Sequence, residues 1–272
     1  MLELIYKMQP LDYVYLLVGI ILFIFAIQSF LDKEHKYRIG TGLFWLLYSV
    51  SFIFGSYLSK EINGWLVIAM AAIVLVKQLG KGHYFESPIE FKKDEAVRIG
   101  NVIFVPALLV GIITFIIGFF TKLGALVGLG IAAIIAMCAA LYITKGSFNQ
   151  GFHEGRRLID AIGWTAILSQ LLAALGYLFN LAGVGKIISS AVASVVPADN
   201  VFLVVVAYCI GMVIFTMIMG NAFAAFAMIT SAIGVPMLVV AHGANPAAIG
   251  AIAMLAGYCG TLMTPMAANF NI

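Results

Sequence analysis

Val102–Phe120 reads VIFVPALLVGIITFIIGFF. Apolar residues occupy both parities of this run, so it lacks the period-two alternation of a membrane barrel strand. Its length is close to the roughly 20 apolar residues that carry a helix across a bilayer core. In lipid the backbone must satisfy its own hydrogen bonds, and an open segment does so only as a helix. The run therefore reads as an α-helical membrane span.

The neighbouring sequence repeats this pattern. Spans are expected at about Tyr13–Phe30, Thr41–Leu58, Gly64–Leu79, Asn101–Phe120, Leu123–Thr144, Ile162–Leu181 and Val201–Met219. Beyond them the pattern is interrupted: Ala222–Ile233, Val235–Val240 and Ala247–Met263. The fold class is an all-α polytopic integral membrane protein of roughly eight or nine membrane helices, with broken or re-entrant segments in the C-terminal half. Composition agrees: 63% of the 272 residues are hydrophobic and 10% charged, and the mean hydropathy is +1.09. A soluble domain carries about 25% charged residues.

Lys and Arg set an expected orientation. With the N-terminus outside, three basic residues fall in loop 31–40, five in 77–100 and three in 145–161, all inside. Lys7, Lys60 and Lys122 fall outside, and Lys186 is left over from this count. The net charge of +3 is this topology signal rather than a nucleic-acid footprint, since no basic stripe with interleaved aromatics exists. The N-terminus lacks a basic leader and a small-residue cleavage site, so the first helix is expected to be retained. Cys138, Cys209 and Cys259 lie in apolar runs without metal-ligand spacing and are expected to be small buried hydrophobes.

Charge divides the chain. Of its charged residues, only Asp160, Lys186 and Asp199 lie beyond Arg157. Residues 1–150 read as a five-helix membrane region with charged cytoplasmic loops. Residues 151–272 read as a transport-like region with broken helices.

Two polar clusters stand in the charge-poor region. The first is GNAFAAFAMITSAIGVP, Gly220–Pro236, with Asn221, Thr230 and Gly234; the second is GYCGTLMTPMAANFN, Gly257–Asn271, with Thr261, Thr264, Pro265 and Asn269. Gly and Pro interrupting an apolar segment point to a transporter's site, because unwound backbone at depth is tolerated only where it lines a cavity or holds a solute. The same residue types also build tight helix contacts and interhelical hydrogen bonds. Arg156 and Asp160 share a helix face by their four-residue spacing. They read as a topology anchor at the start of the sixth span, or as a gate or partner contact. Asp199 reads as a helix N-cap or loop carboxylate, and His242 as a loop residue. The motifs of zinc proteases, α/β-hydrolases and P-loop ATPases are missing, so no enzymatic activity is expected.

The strings GRRLIDAIGWTAILSQLLAALG, MGNAFAAFAMITSAIGVP and AGYCGTLMTPMAANFN closely resemble the bacterial membrane family called domain of unknown function 979. The resemblance implies one subunit of a two-subunit transporter for 5-oxoproline (pyroglutamate), in the bacterial inner membrane, with a smaller companion membrane subunit. More distantly, the Gly-Asn and Gly-Val-Pro string looks like the broken-helix motif of the ion transporter superfamily. That likeness would place Gly220, Asn221, Thr230 and Gly234 along one break, and Thr261, Thr264, Pro265 and Asn269 along another. Family members continue with a further apolar segment after the Asn-Phe-Asn at which this sequence ends. A helix broken at Pro265 would then lack its second half, unless a neighbouring chain fills that space.

The leading expectation is a secondary-transporter subunit that holds a small anionic solute on helix N-termini, Asn and Thr. A co-transported sodium ion or proton would balance the charge, with Arg156, Asp160 and Asp199 as weak coupling or gating candidates. No bound cofactor and no metal site are expected. The alternative is an accessory subunit that assembles another permease and binds nothing itself.

Overall fold

The computed structural model describes residues 8–84, 88–197, 199–265 and 267. Among these it is helical, with no strand. Five helices are long and apolar enough to cross a membrane: Pro10–Leu31, Ile89–Phe120, Ala125–Thr144, Val201–Met219 and Ala222–Val240. Shorter apolar helices accompany them at Arg38–Phe54, Val184–Val195 and Pro246–Leu262. The chain divides into two compact units, Met1–Ala166 and Ile167–Ile272.

The first unit begins with α1 (Pro10–Leu31). Pro10 occupies its first turn, where a missing N–H costs nothing, and the Asp12 carboxylate accepts from the Gln9 N–H at 2.9 Å. α2 (Arg38–Phe54) packs along it. Small residues permit the approach. A Cβ on Gly19 would lie 2.4 Å from Ile53 Cγ1, and one on Gly42 would lie 2.6 Å from the Phe30 ring. At the same seam the Ser49 hydroxyl donates to the Gly19 carbonyl at 2.7 Å. Such small-residue contacts replace the hydrophobic effect, which gives no drive between helices already in lipid.

Ser59 caps α3 (Lys60–Leu75). The charged helix α4 (Ile89–Ile99) runs through a 3₁₀ turn, Gly100–Phe104, into the apolar α5 (Val105–Phe120). α5 folds back on α6 (Ala125–Thr144), with Gly118 against Ala125 and Gly128 against Ile117. The unit closes with α7 (Phe148–Ile162). Ser147 and Gln150 form its capping box, satisfying two orphan donors at once. Segment 145–161, expected to be a loop, is thus largely an amphipathic helix.

The second unit contains α8 (Leu168–Leu181), α9 (Val184–Val195), α10 (Val201–Met219), α11 (Ala222–Ile229), a π-helical continuation of α11 (Thr230–Val240) and α12 (Pro246–Leu262). Its core is Val204, Tyr208, Met212, Ala225, Ile229, Ile233, Leu238 and Ala253, each buried. Gly220 ends α10 in the left-handed conformation (φ 69°), and Asn221 caps α11 by accepting from the Phe223 N–H at 2.8 Å. Gly220–Asn221 is therefore a tight connection between two successive helices. α12 returns beside α10: Gly257 meets Met212 and Ala222, and Gly260 meets Val213 and Thr216.

Several expectations change. The sixth span, expected over Ile162–Leu181, is instead a 3₁₀ turn at Gly163–Ile167 followed by the 14-residue α8. The expected break at Gly234-Val-Pro236 does not occur, because the helix widens to a π-helix and runs through Pro236. An α-helix would drive the proline ring into the carbonyl four residues back; the wider i→i+5 winding relieves that clash. Cys138 and Cys259 are exposed and Cys209 half-buried, not packed in a core, as befits side chains on faces that meet lipid. Asp199 lies in a turn, and the cap of α10 is Asn200, whose side chain accepts from the Leu203 N–H at 3.2 Å. His242 lies in a turn, as expected.

Candidate functional site

Among the described residues, buried polar side chains gather in both units. In the second unit, α10 is 19 residues long, about 28 Å at 1.5 Å per residue. That is enough to cross the bilayer core. Gly220 and Asn221 therefore lie at the end of a helix long enough to cross, not half-way along it. Asn221 is buried, with its carbonyl committed to the cap. The second expected cluster comes to this same end. Thr264 donates to the Met217 carbonyl at 3.0 Å, one of the orphan carbonyls of the last turn of α10. Thr261 is buried and donates to the Tyr258 carbonyl at 2.7 Å. Thr216 is wholly buried in the same place, and its hydroxyl has no hydrogen-bond partner among the described residues. Pro265 follows in the turn after α12; Asn269 lies outside the described residues.

Nearer mid-crossing lies a second set. The Tyr208 ring, on α10, is fully buried, and its hydroxyl shares a 2.8 Å hydrogen bond with Thr230 Oγ1 at the first π-helical position. Gly234, one turn on, faces the ring edge: a Cβ there would stand 3.0 Å from Tyr208 Cε2, Cζ and OH. Five residues after Ser231 comes Pro236, which has no N–H to offer, so the Ser231 carbonyl has no ladder donor at that position. A buried phenol and a threonine hydroxyl thus meet at the start of one widened segment that also carries Pro236. The candidates Gly220, Asn221, Thr230 and Gly234 accordingly separate into an end pair and a mid-crossing pair, and the end pair joins Thr261 and Thr264. Sequence reasoning missed Tyr208 and Thr216. Each is a single polar residue inside a long apolar run, and the available signal was only its oddness there.

In the first unit Arg156 and Asp160 share one face of α7 and are both buried. Arg156 Nη2 donates to Asp32 Oδ2 at 2.8 Å, and its Nε stands 3.8 Å from Asp160 Oδ2. Asp160 is held by neutral donors as well: Trp45 Nε1 at 3.0 Å, the Gly82 N–H at 3.2 Å, and the Tyr84 hydroxyl. Asp32 accepts further from the Glu34 and His83 N–H groups. Burial raises the Asp32 carboxyl, but the Arg156 bond and charge and those two N–H groups outweigh it, leaving the group below its ordinary value. Burial, then the Asp160 carboxylate, pushes the Tyr84 phenol well above its ordinary range. Gly82 has no room to spare, since a Cβ there would meet Arg156 Nη2 at 2.5 Å. The cluster pins the 80–84 segment to the ends of α1 and α7. Asp32, Trp45 and Tyr84 were not foreseen, because their partners lie far away in the chain.

Residues 12–272 match the family described as "Protein of unknown function (DUF979)". The chain belongs to that family. Neither the curated proteins nor the solved structures give a match. Both constellations lie within the DUF979 match.

Proposed function

We propose that this DUF979 protein is a subunit of a secondary transporter for a small carboxylate, working with a companion membrane subunit in the bacterial inner membrane. The family resemblance points to 5-oxoproline as the solute. The observation that carries the reading is the hydroxyl pair Tyr208–Thr230 beside a π-helical stretch in the middle of a membrane crossing. Buried polar groups at membrane depth are costly and mark solute paths, and single π segments concentrate at functional sites.

The chemistry of the solute fits the groups available. A cyclic amide with a carboxylate needs donors for the anion and an acceptor for the ring N–H. Tyr208 and Thr230 supply hydroxyl donors, and the Ser231 carbonyl supplies an acceptor. The one Lys or Arg in the sequence of the second unit, Lys186, is exposed on α9 next to Gly185, which approaches Ser231; in this reading a co-transported sodium ion or proton balances the charge. Each hydroxyl bond to a charged carboxylate contributes about 1.5–3 kcal/mol, on the order of 10- to 100-fold in apparent affinity. Tyr208→Phe and Thr230→Val should each raise the half-saturating 5-oxoproline concentration by that factor in cells expressing both subunits. Unchanged uptake kinetics in both variants would remove this site from the solute path.

A further inference from the structure

Outside that site, the α4–α6 region carries an independent feature. A groove of about 610 Å³ is lined by Arg98, Ile99, Val102, Leu141, Tyr142 and Lys145, among others. Its position follows from the two helices that form it. The run Ile89–Phe120 changes from charged α4 to apolar α5 at Gly100, whose φ of +54° combined with a ψ of −139° favours glycine. α6 changes in the opposite sense, ending its apolar run at Thr144 with Lys145 as its left-handed cap. Arg98 and Lys145 therefore mark the same apolar-to-polar boundary on neighbouring helices, the depth at which lipid phosphates lie.

The charges at this boundary are arranged for an anion. Arg98 pairs with Glu95 and also donates from Nη2 to the Thr144 carbonyl at 3.4 Å, fixing the guanidinium over the end of α6. The Lys145 ammonium lies close enough for its charge to act on Glu95, and the two form no salt bridge among the described residues. Arg98, Lys145 and Glu95 together leave one positive charge. Below them the groove wall is apolar, with Val102 half exposed, and Tyr142 is 87% exposed beside it, as in an interfacial aromatic belt. Basic pockets between membrane helices at this level hold anionic headgroups.

We propose that this groove is a binding site for an anionic phospholipid, with the headgroup phosphate on Lys145 and Arg98 and an acyl chain along Val102 and Leu141. One net basic charge near the surface contributes about fivefold preference for anionic over zwitterionic lipid. The test uses the full chain purified in detergent, with phosphatidylglycerol or phosphatidylcholine of equal chain length, and reads bound lipid by native mass spectrometry. The expected result is about fivefold greater retention of phosphatidylglycerol. That preference is abolished by Lys145→Gln and kept by Lys122→Gln, which makes the same charge change in the α5–α6 turn. Val102→Trp, which fills the groove without altering charge, should lower phosphatidylglycerol retention several-fold. Equal retention of the two lipids, or equal behaviour of the Lys145 and Lys122 variants, would overturn the proposal. So would displacement of the lipid by millimolar inorganic phosphate at matched ionic strength, which would mark a site for a free anion.

Discussion

Arg156→Met should destabilise the first unit severely. The Arg156 side chain is 6% exposed, and its partners Asp32 and Asp160 are 12% and 0% exposed. Removing the one cation leaves two carboxylates facing a vacated, desolvated space. Breaking a buried ion pair from one side costs about 3–5 kcal/mol. Here the lower part of that range applies, because Asp160 keeps its bonds from Trp45, Gly82 and Tyr84, and Asp32 keeps two backbone N–H bonds. At about 2–4 °C per kcal/mol for a chain of 150–250 residues, a loss near 3 kcal/mol lowers the unfolding midpoint by roughly 6–12 °C. Trp45 reports the change directly, since its indole N–H donates to Asp160 and the ring is 1% exposed. Thermal unfolding in detergent, followed by tryptophan emission, is the assay. Adding Asp32→Asn to Arg156→Met removes one stranded charge and should recover about 1 kcal/mol or more. A midpoint shifted by less than about 2 °C, or strictly additive effects of the two substitutions, would show that the pair is not held as a buried ion pair.

Further predictions concern pH, close packing and the π segment. Because the folded Asp32 carboxyl lies below its ordinary value of 3.8, its stabilisation is fully present above that value and is lost as pH falls through the lower folded value. Tryptophan emission and unfolding midpoint should therefore show no Asp32-linked step between pH 5 and 8, and a step within that range would refute the assignment. Gly260→Ala should be among the costliest small substitutions in the second unit, because a Cβ would meet the Val213 carbonyl oxygen at 2.7 Å and Val213 Cα at 3.1 Å, neither of which can rotate away. A loss of about 1–3 kcal/mol in unfolding free energy is expected. Pro236→Ala restores an N–H and removes the ring that enforces the wide winding. It should raise thermal stability while lowering 5-oxoproline uptake; unimpaired uptake would show that the π segment is only a packing solution.

How much of this was legible depended on the range of the interactions. The apolar runs that became α1, α5, α6 and α10 were readable because a helix in lipid is determined by its own composition over about 20 residues. Ser147 and Gln150 carried their cap locally too. Pro236 was noticed but misread: whether a proline breaks, kinks or widens a helix depends on what packs around it, here Tyr208 against Gly234. Asn221 was marked as unusual, and the expected span Val201–Met219 that precedes it is the helix observed; its role as the cap of the next helix was not read from the sequence. The Arg156–Asp160 spacing was visible, but Asp32 lies 124 residues from Arg156, and nothing in either local sequence announces the other. The candidates Thr261 and Thr264 were grouped by their closeness in sequence, while their hydrogen bonds go to different carbonyls, those of Tyr258 and Met217. Their meeting with Gly220, Asn221 and Thr216 is a product of α12 returning beside α10.

The most direct measurement is uptake of radiolabelled 5-oxoproline into bacterial cells that lack their own route, with this chain expressed alone, with its companion subunit, and with the companion plus Tyr208→Phe. The account predicts uptake only when both chains are present, and a 10- to 100-fold weaker apparent affinity in the variant with membrane assembly intact. Absence of uptake from a well-assembled pair, or uptake indifferent to Tyr208, would contradict it.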